Sequence, residues 1–353
     1  MRECFTIFMT GMETAMPDPQ QNPNPETSTS ASELSPPEAA TFIATPAPLR
    51  GMPAVFVSSG GLRPGWGIFL YLGMGVILFL ILSNLLRLIP SRGAGFLWQQ
   101  MFIQAVLVIS CLVPAFVMTR IEKRPFCLYG LPIRQARVRL FCIGLLWGIL
   151  ALSALMLLLR GVGVFSYGSV ILHGLRIWKF ALFWGVFFFL VGIFEEFTFR
   201  GYTQFTLSEA IGFWPAAFVW ALVFGSLHLI GNVGETWLGS LCAAMIGLFF
   251  CFTLRRTGNL WFAVGMHASW DWGESYLYSV PDSGGTVPGH LLNSSFHGSR
   301  WLTGGSVGPE GSVLVFVVIG AAWVVFDRMY PGLRVAGRTD EPAPNQTATV
   351  YHE

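Results

Sequence analysis

Two adjacent carboxylates, Glu195 and Glu196, stand in Phe194-Glu-Glu-Phe-Thr-Phe-Arg-Gly-Tyr202, and Arg200 follows Glu196 by four residues. Further along come Phe224-Gly-Ser-Leu-His228 and His267-Ala-Ser-Trp-Asp271. Carboxylates and imidazoles are the groups that move protons near neutral pH, and donors aimed at a developing oxyanion stabilise acyl transfer. The chemistry these residue types suit is hydrolysis by an activated water. Glu196 and Arg200, Phe224 and His228, and His267 and Asp271 are each spaced i, i+4, so each pair shares one helix face. Glu195 and Glu196 point about 100° apart on a helix and cannot do the same job. The natural division gives Glu196 to Arg200 and turns Glu195 toward a cavity, unless Arg200 reaches both.

Taken singly, each set has a plainer explanation. His228 in an apolar helix reads as a hydrogen-bonded packing residue. His267 and Asp271 read as a helix-stabilising pair, and Glu196 with Arg200 as a structural ion pair. Together they weigh differently. An ionisable group in a bilayer core costs roughly 2.5–3.5 kcal/mol on insertion scales and usually faces a bundle interior or a water-filled cavity. The run Phe180–Phe194 just before the carboxylates contains no charge, so the cluster needs a function.

Those surroundings define the class of protein. Of 353 residues, 53% are hydrophobic and 11% charged, with mean hydropathy +0.59. Soluble domains carry about 25% charged residues, so this is a polytopic, all-α membrane bundle. Phe and Trp, 31 and 13 in number, suit lipid-facing and interfacial positions. A net charge of +2 argues against nucleic acid as a partner. The six cysteines have no paired or metal-knuckle spacing and read as small apolar residues.

Residues 1–62 are dense in Pro, Ser and Thr, a composition expected to stay disordered, and 332–353 form a polar tail. Between them the helical domain, 63–331, divides into eight apolar segments, near 66–89, 96–119, 140–159, 179–208, 212–231, 237–254, 259–276 and 312–330. Lys and Arg crowd the loop after the second segment, the loop after the sixth and the C-terminal tail, which with eight spans places both termini in the cytoplasm. Arg87 and Arg92 run against that bias. Glu235 and Glu274, near the far ends of their segments, read as interfacial.

The same arrangement makes the motifs converge. If segments four and five form a hairpin turning at Gly212, Glu195 and His228 sit at nearly equal depth, roughly 25 Å from the turn at about 1.5 Å per residue. His267 lies about 15 Å in from the same side by the same rise.

These residues resemble a known family. Glu195-Glu196-x-x-x-Arg200, Phe224-x-x-x-His228 and His267-x-x-x-Asp271, in that order within apolar segments, are similar to the three motifs of the CPBP family. That family comprises the CAAX proteases and bacteriocin-processing enzymes, also called Abi or type II CAAX prenyl protease-like proteins. The resemblance covers about 180–275 strongly. It implies an intramembrane endopeptidase acting on a membrane-associated peptide or lipidated protein. Glu195 would then be the general base and His228 would hold and polarise the water. His267 and Asp271 would bind the oxyanion or, in the older view, a metal. Glu196 and Arg200 would support the site, and Phe224 would pack beside it.

Residue 271 separates the two mechanisms. An ionised Asp cannot donate a hydrogen bond, so Asp271 is protonated, orients His267 or helps hold a cation. Glu195, His228, His267 and Asp271 include an acceptable zinc set with an open position, although no HExxH helix is present. The favoured reading needs no cofactor. The segment Gly304–Gly311 resembles a stretch in bacterial members, which points to a bacterial plasma membrane. Two other readings compete: a non-proteolytic peptide-binding or immunity protein of the same fold, and a proton-coupled transporter, for which an internal repeat is missing.

Overall fold

The computed structural model describes residues 57–58, 61–88, 95–132, 137–232 and 234–332. Most of the expected disordered segment, 1–62, and nearly all of the polar tail, 332–353, lie outside the described residues. Near the first helix, Val57–Ser58 pairs antiparallel with Gly61–Leu62.

A lipid environment has no water to satisfy backbone N–H and C=O groups, so long apolar runs close their hydrogen bonds internally as helices. The described helices are α1 (Pro64–Leu88), α2 (Phe96–Glu122), α3 (Arg137–Gly161), α4 (Leu175–Arg200), α5 (Tyr202–Ile211), α6 (Phe213–Gly231), α7 (Trp237–Thr257), α8 (Trp261–Trp272), α9 (Arg300–Thr303) and α10 (Val315–Met329). A π-helical turn, Gly273–Tyr278, extends α8. Large apolar side chains such as Ile77, Leu157, Leu182 and Leu222 point outward, while Glu196, Arg200 and Glu274 are buried. This is the polarity a bilayer selects.

All eight expected apolar segments contain helix, but they are not equal. Among the described residues, six stretches are long and apolar enough to cross a membrane: 64–87, 97–122, 138–161, 175–211, 213–231 and 237–257. The last two segments give α8, of 12 residues, and α10, of 15. At about 1.5 Å per residue α10 reaches about 22 Å, and α8 about 18 Å or at most about 27 Å with its π-helical turn, short of the hydrocarbon thickness of about 30 Å. Length and apolarity thus support six spans and leave two shorter helices among them. The fourth segment also breaks, at Gly201, so that α5 leaves the axis of α4.

Short α8 is held where it is by close packing on α3. Gly144 and Gly148 form a Gly-x-x-x-Gly stripe on α3. A methyl group at Gly144 would run into the Phe262 carbonyl, and one at Gly148 into Ser269 Oγ and the Met266 carbonyl. From the other side, Gly265 of α8 faces the Phe141 carbonyl with the same lack of room. Small residues let two helix backbones approach in a membrane, where dispersion replaces the hydrophobic effect as the driving force.

The other face of α8 packs on α4, and α6 packs against α7, with Ser240 Oγ donating to the Gly225 carbonyl at 2.8 Å. The Gly-rich segment after α8 folds back over this end of the bundle. Phe165–Ser166 pairs antiparallel with Ser295–Phe296, and Trp184 Nε1 donates to the Pro288 carbonyl at 3.1 Å.

Candidate active site

α4, α6, α7 and α8 surround a cavity of about 420 Å³. Glu195, Phe224, His228, His267 and Asp271 line it, and apolar side chains of α4 such as Phe188, Val191 and Phe199 form much of its wall. Glu196 and Arg200 lie immediately behind, both essentially inaccessible. The three sequence motifs thus meet around one volume.

His267 is the hub. Its Nδ1 lies 2.7 Å from Glu196 Oε1, and its Nε2 lies 3.5 Å from Glu195 Oε2 and 3.4 Å from Asp271 Oδ2. A carboxylate only accepts, so the contact with Glu196 places a proton on Nδ1 and fixes the ring. Phe250 stacks on the imidazole with ring centroids 5.9 Å apart. Asp271, one turn along the same helix, is near Nε2 but beyond good hydrogen-bond range. The orienting partner of His267 is therefore Glu196, on another helix.

Glu196 Oε1 also accepts from Arg200 Nη1 at 3.3 Å, so one carboxylate oxygen holds a cation and the imidazole together. The guanidinium lies over the Phe224 ring, 4.3 Å from its centroid. Space for it comes from α7: a side chain at Gly247 would strike Arg200 Nη2. Gly247 is a supporting residue that motif spacing did not reveal, because its role depends on the packing of α7 against α4.

Glu195, one residue earlier, faces the cavity with 24% of its side chain exposed. His228 Nδ1 lies 2.9 Å from the Phe224 carbonyl, and the two rings sit 4.4 Å apart. A carbonyl only accepts, so Nδ1 carries the proton and the lone pair of a neutral His228 sits on Nε2. Phe224 thus supplies a backbone acceptor for His228 as well as a ring for Arg200.

The residues expected as zinc ligands do not form a closed donor set. His267 Nε2 has a carboxylate oxygen on either side, yet among the described residues only Glu274, Asp282 and Glu310 present three such ligand atoms within 4.8 Å of one another.

Three further carboxylates reach this region. Glu235, Asp282 and Glu310 line the cavity beyond His228 and Asp271. Glu235 Oε1 accepts from the Thr236 backbone N–H at 2.8 Å, beside the start of α7, and Thr236 Oγ1 caps that helix. The expectation of an interfacial Glu274 is not met, since its side chain is fully buried. It follows Asp271 by three residues, so it continues the face that carries His267 and Asp271 into the bundle. Asp282 and Glu310 are the only two acidic residues in 277–311, a signal that the loop's Gly and Ser content obscured.

Residues 177–273 match the family model described as type II CAAX prenyl endopeptidase Rce1-like, the group that the three motifs resemble. That span runs from the first turn of α4 through α8 and includes every residue of the motifs. No curated protein and no solved structure matched the chain.

Proposed function

We propose that this chain, a member of the Rce1-like CAAX prenyl endopeptidase family over residues 177–273, is an intramembrane endopeptidase whose catalytic base is Glu195. The observation that carries the reading is the meeting of Glu195, His228 and His267 at one cavity, with His267 clamped from behind by Glu196.

In this reading a water sits between Glu195 and His228 Nε2. Glu195 takes one proton as the water oxygen attacks the scissile carbonyl carbon, and the carbonyl electron pair moves onto its oxygen. His267 in its doubly protonated form donates from Nε2 to that oxyanion, with Glu196 as counter-ion on Nδ1. The carbon–nitrogen bond then breaks, and Glu195 returns its proton to the leaving amine. Asp271 cannot donate to the oxyanion when ionised, so its part is that of a nearby negative charge favouring the doubly protonated His267, 3.4 Å from its Nε2.

The substrate is a membrane-associated peptide, of which a prenylated CAAX-type end is one form. An apolar wall of Phe and Val beside a polar centre suits a lipidated chain. The setting is a bacterial plasma membrane with both termini on the cytoplasmic side.

The test is cleavage of a peptide library, including lipidated C-terminal peptides, by purified wild type and Glu195→Ala in detergent. Products formed by the wild type and reduced at least about 10²-fold in the variant support the assignment. Equal cleavage by both removes Glu195 from its role. Two folded but silent proteins that still retain peptide would favour a binding or immunity function.

A further inference from the structure

Glu274 poses a problem that the hydrolytic site does not solve. Its carboxylate is fully buried, and neither oxygen has a hydrogen-bond partner among the described residues. It is aimed at two more carboxylates. One oxygen from each of Glu274, Asp282 and Glu310 lies within 4.8 Å of the others. None of the three takes part in an ion pair with Lys, Arg or His among the described residues. A fully buried carboxylate facing two partly buried ones is neutralised either by protons or by a bound cation.

Local structure holds the two loop residues in place. Ser275 Oγ donates to Asp282 Oδ2 at 3.1 Å, and Glu310 Oε2 accepts from Ser283 N at 3.2 Å and Ser283 Oγ at 2.8 Å. Gly284 N donates to the Val307 carbonyl at 2.9 Å, joining the two stretches of loop. These bonds occupy one oxygen of Asp282 and one of Glu310, leaving the others available. Asp282, Ser283 and Glu310 also line the central cavity, which provides a way in.

We infer that Glu274, Asp282 and Glu310 form a binding site for a divalent cation, separate from the catalytic residues, that ties the loop after α8 to the end of that helix. The donors are all oxygen, which selects a hard cation over zinc or copper. Calcium bonds at 2.3–2.6 Å, so two oxygens on opposite sides of it lie roughly 4.6–5.2 Å apart; magnesium, at 2.0–2.1 Å, allows only roughly 4.0–4.2 Å. Three oxygens within 4.8 Å of one another fit either ion, and calcium, which takes more ligands in a more flexible geometry and sheds its water more readily, is the one to test. Bound there, the cation would brace the helix that carries His267 and Asp271 against the loop forming the far wall of the cavity.

The experiment reads binding, so it stands whether or not the protein is a protease. Full-length protein in detergent is stripped with chelator and titrated with Ca²⁺, following heat of binding and the thermal unfolding midpoint. The expected result is one Ca²⁺ per chain with a raised midpoint. Glu310→Gln and Glu274→Gln should weaken binding at least tenfold, while Glu195→Gln leaves it unchanged. No saturable binding at millimolar Ca²⁺ overturns the inference. So does loss of binding in Glu195→Gln with retention in Glu310→Gln, which would put the ion at the catalytic carboxylates. A third overturning result is a Glu274→Gln protein that unfolds at a higher temperature than wild type and ignores Ca²⁺ when wild type also ignores it; shared protons would then neutralise the cluster. Should either cluster variant fail to fold, the wild-type stoichiometry and the Glu195→Gln comparison still decide.

Discussion

At the scale of single residues, Glu196 has more to hold than its neighbour. One of its oxygens serves both Arg200 and His267, with all three side chains buried or nearly so. Removing one member of a buried charge pair leaves the other uncompensated and costs about 3–5 kcal/mol. Glu196→Gln keeps the shape and removes the charge. It should lower the thermal midpoint and, by freeing the imidazole, reduce kcat by about 10–100-fold, the usual effect of losing a residue that orients a reacting group. Cleavage and melting at wild-type values would refute the clamp. Spacing made part of this legible: i, i+4 pairing pointed to Glu196 with Arg200 and turned Glu195 toward a cavity. The contact with His267 was not legible, because the partners lie 71 residues apart on helices whose facing only packing decides. Glu274 went astray for a related reason. It stands among Trp and Tyr that suit an interface, while its burial comes from a loop that returns over it.

At the scale of elements, the hydrolytic geometry depends on a helix too short to span by itself. α8 keeps its depth because Gly144 and Gly148 let its backbone lie against α3. Gly148→Leu should force the two helices apart, carry His267 away from Glu195 and abolish cleavage, with a lower unfolding midpoint. Gly73→Ala in α1 is the control, since nothing lies within 4 Å of a methyl group there. That change should be neutral or stabilising by up to about 1 kcal/mol through helix propensity. Equal behaviour of the two variants would show that the close approach is dispensable. Apolar run lengths made the helices recognisable, and equal depth along a hairpin anticipated the meeting of Glu195 and His228. The break at Gly201 and the shortness of α10 were harder to see. A hydrophobic run records how apolar a segment is, whereas neighbouring helices determine where it bends or stops.

At the scale of the whole molecule, the distribution of charge sets orientation. Arg124 pairs with Glu209 at 2.7 Å, joining the end of α2 to α5, and Arg256 pairs with Asp327 of α10. Arg255 lies over the Phe213 and Trp214 rings at the start of α6. These contacts gather the basic ends of α2, α7 and α10 on one side of the bundle. The opposite side holds the segment after α8, together with Arg160, Arg176, Lys179 and Arg300 near the helix ends there. Lys and Arg are retained on the cytoplasmic side during insertion; with Arg120, Lys123, Arg139 and Arg328 the first group numbers at least seven among the described residues, against five on the other side once Arg87 is included, so the first side should face the cytoplasm. The bias is modest, which makes a direct measurement decisive. A reporter fused after Arg338 should read cytoplasmic, and one inserted near Gly285 extracytoplasmic. The reverse pair of signals would turn the molecule over. The carboxylate cluster at Glu274 would then open toward the cytoplasm, where free calcium is scarce, and a cation site there would have to work at far higher affinity.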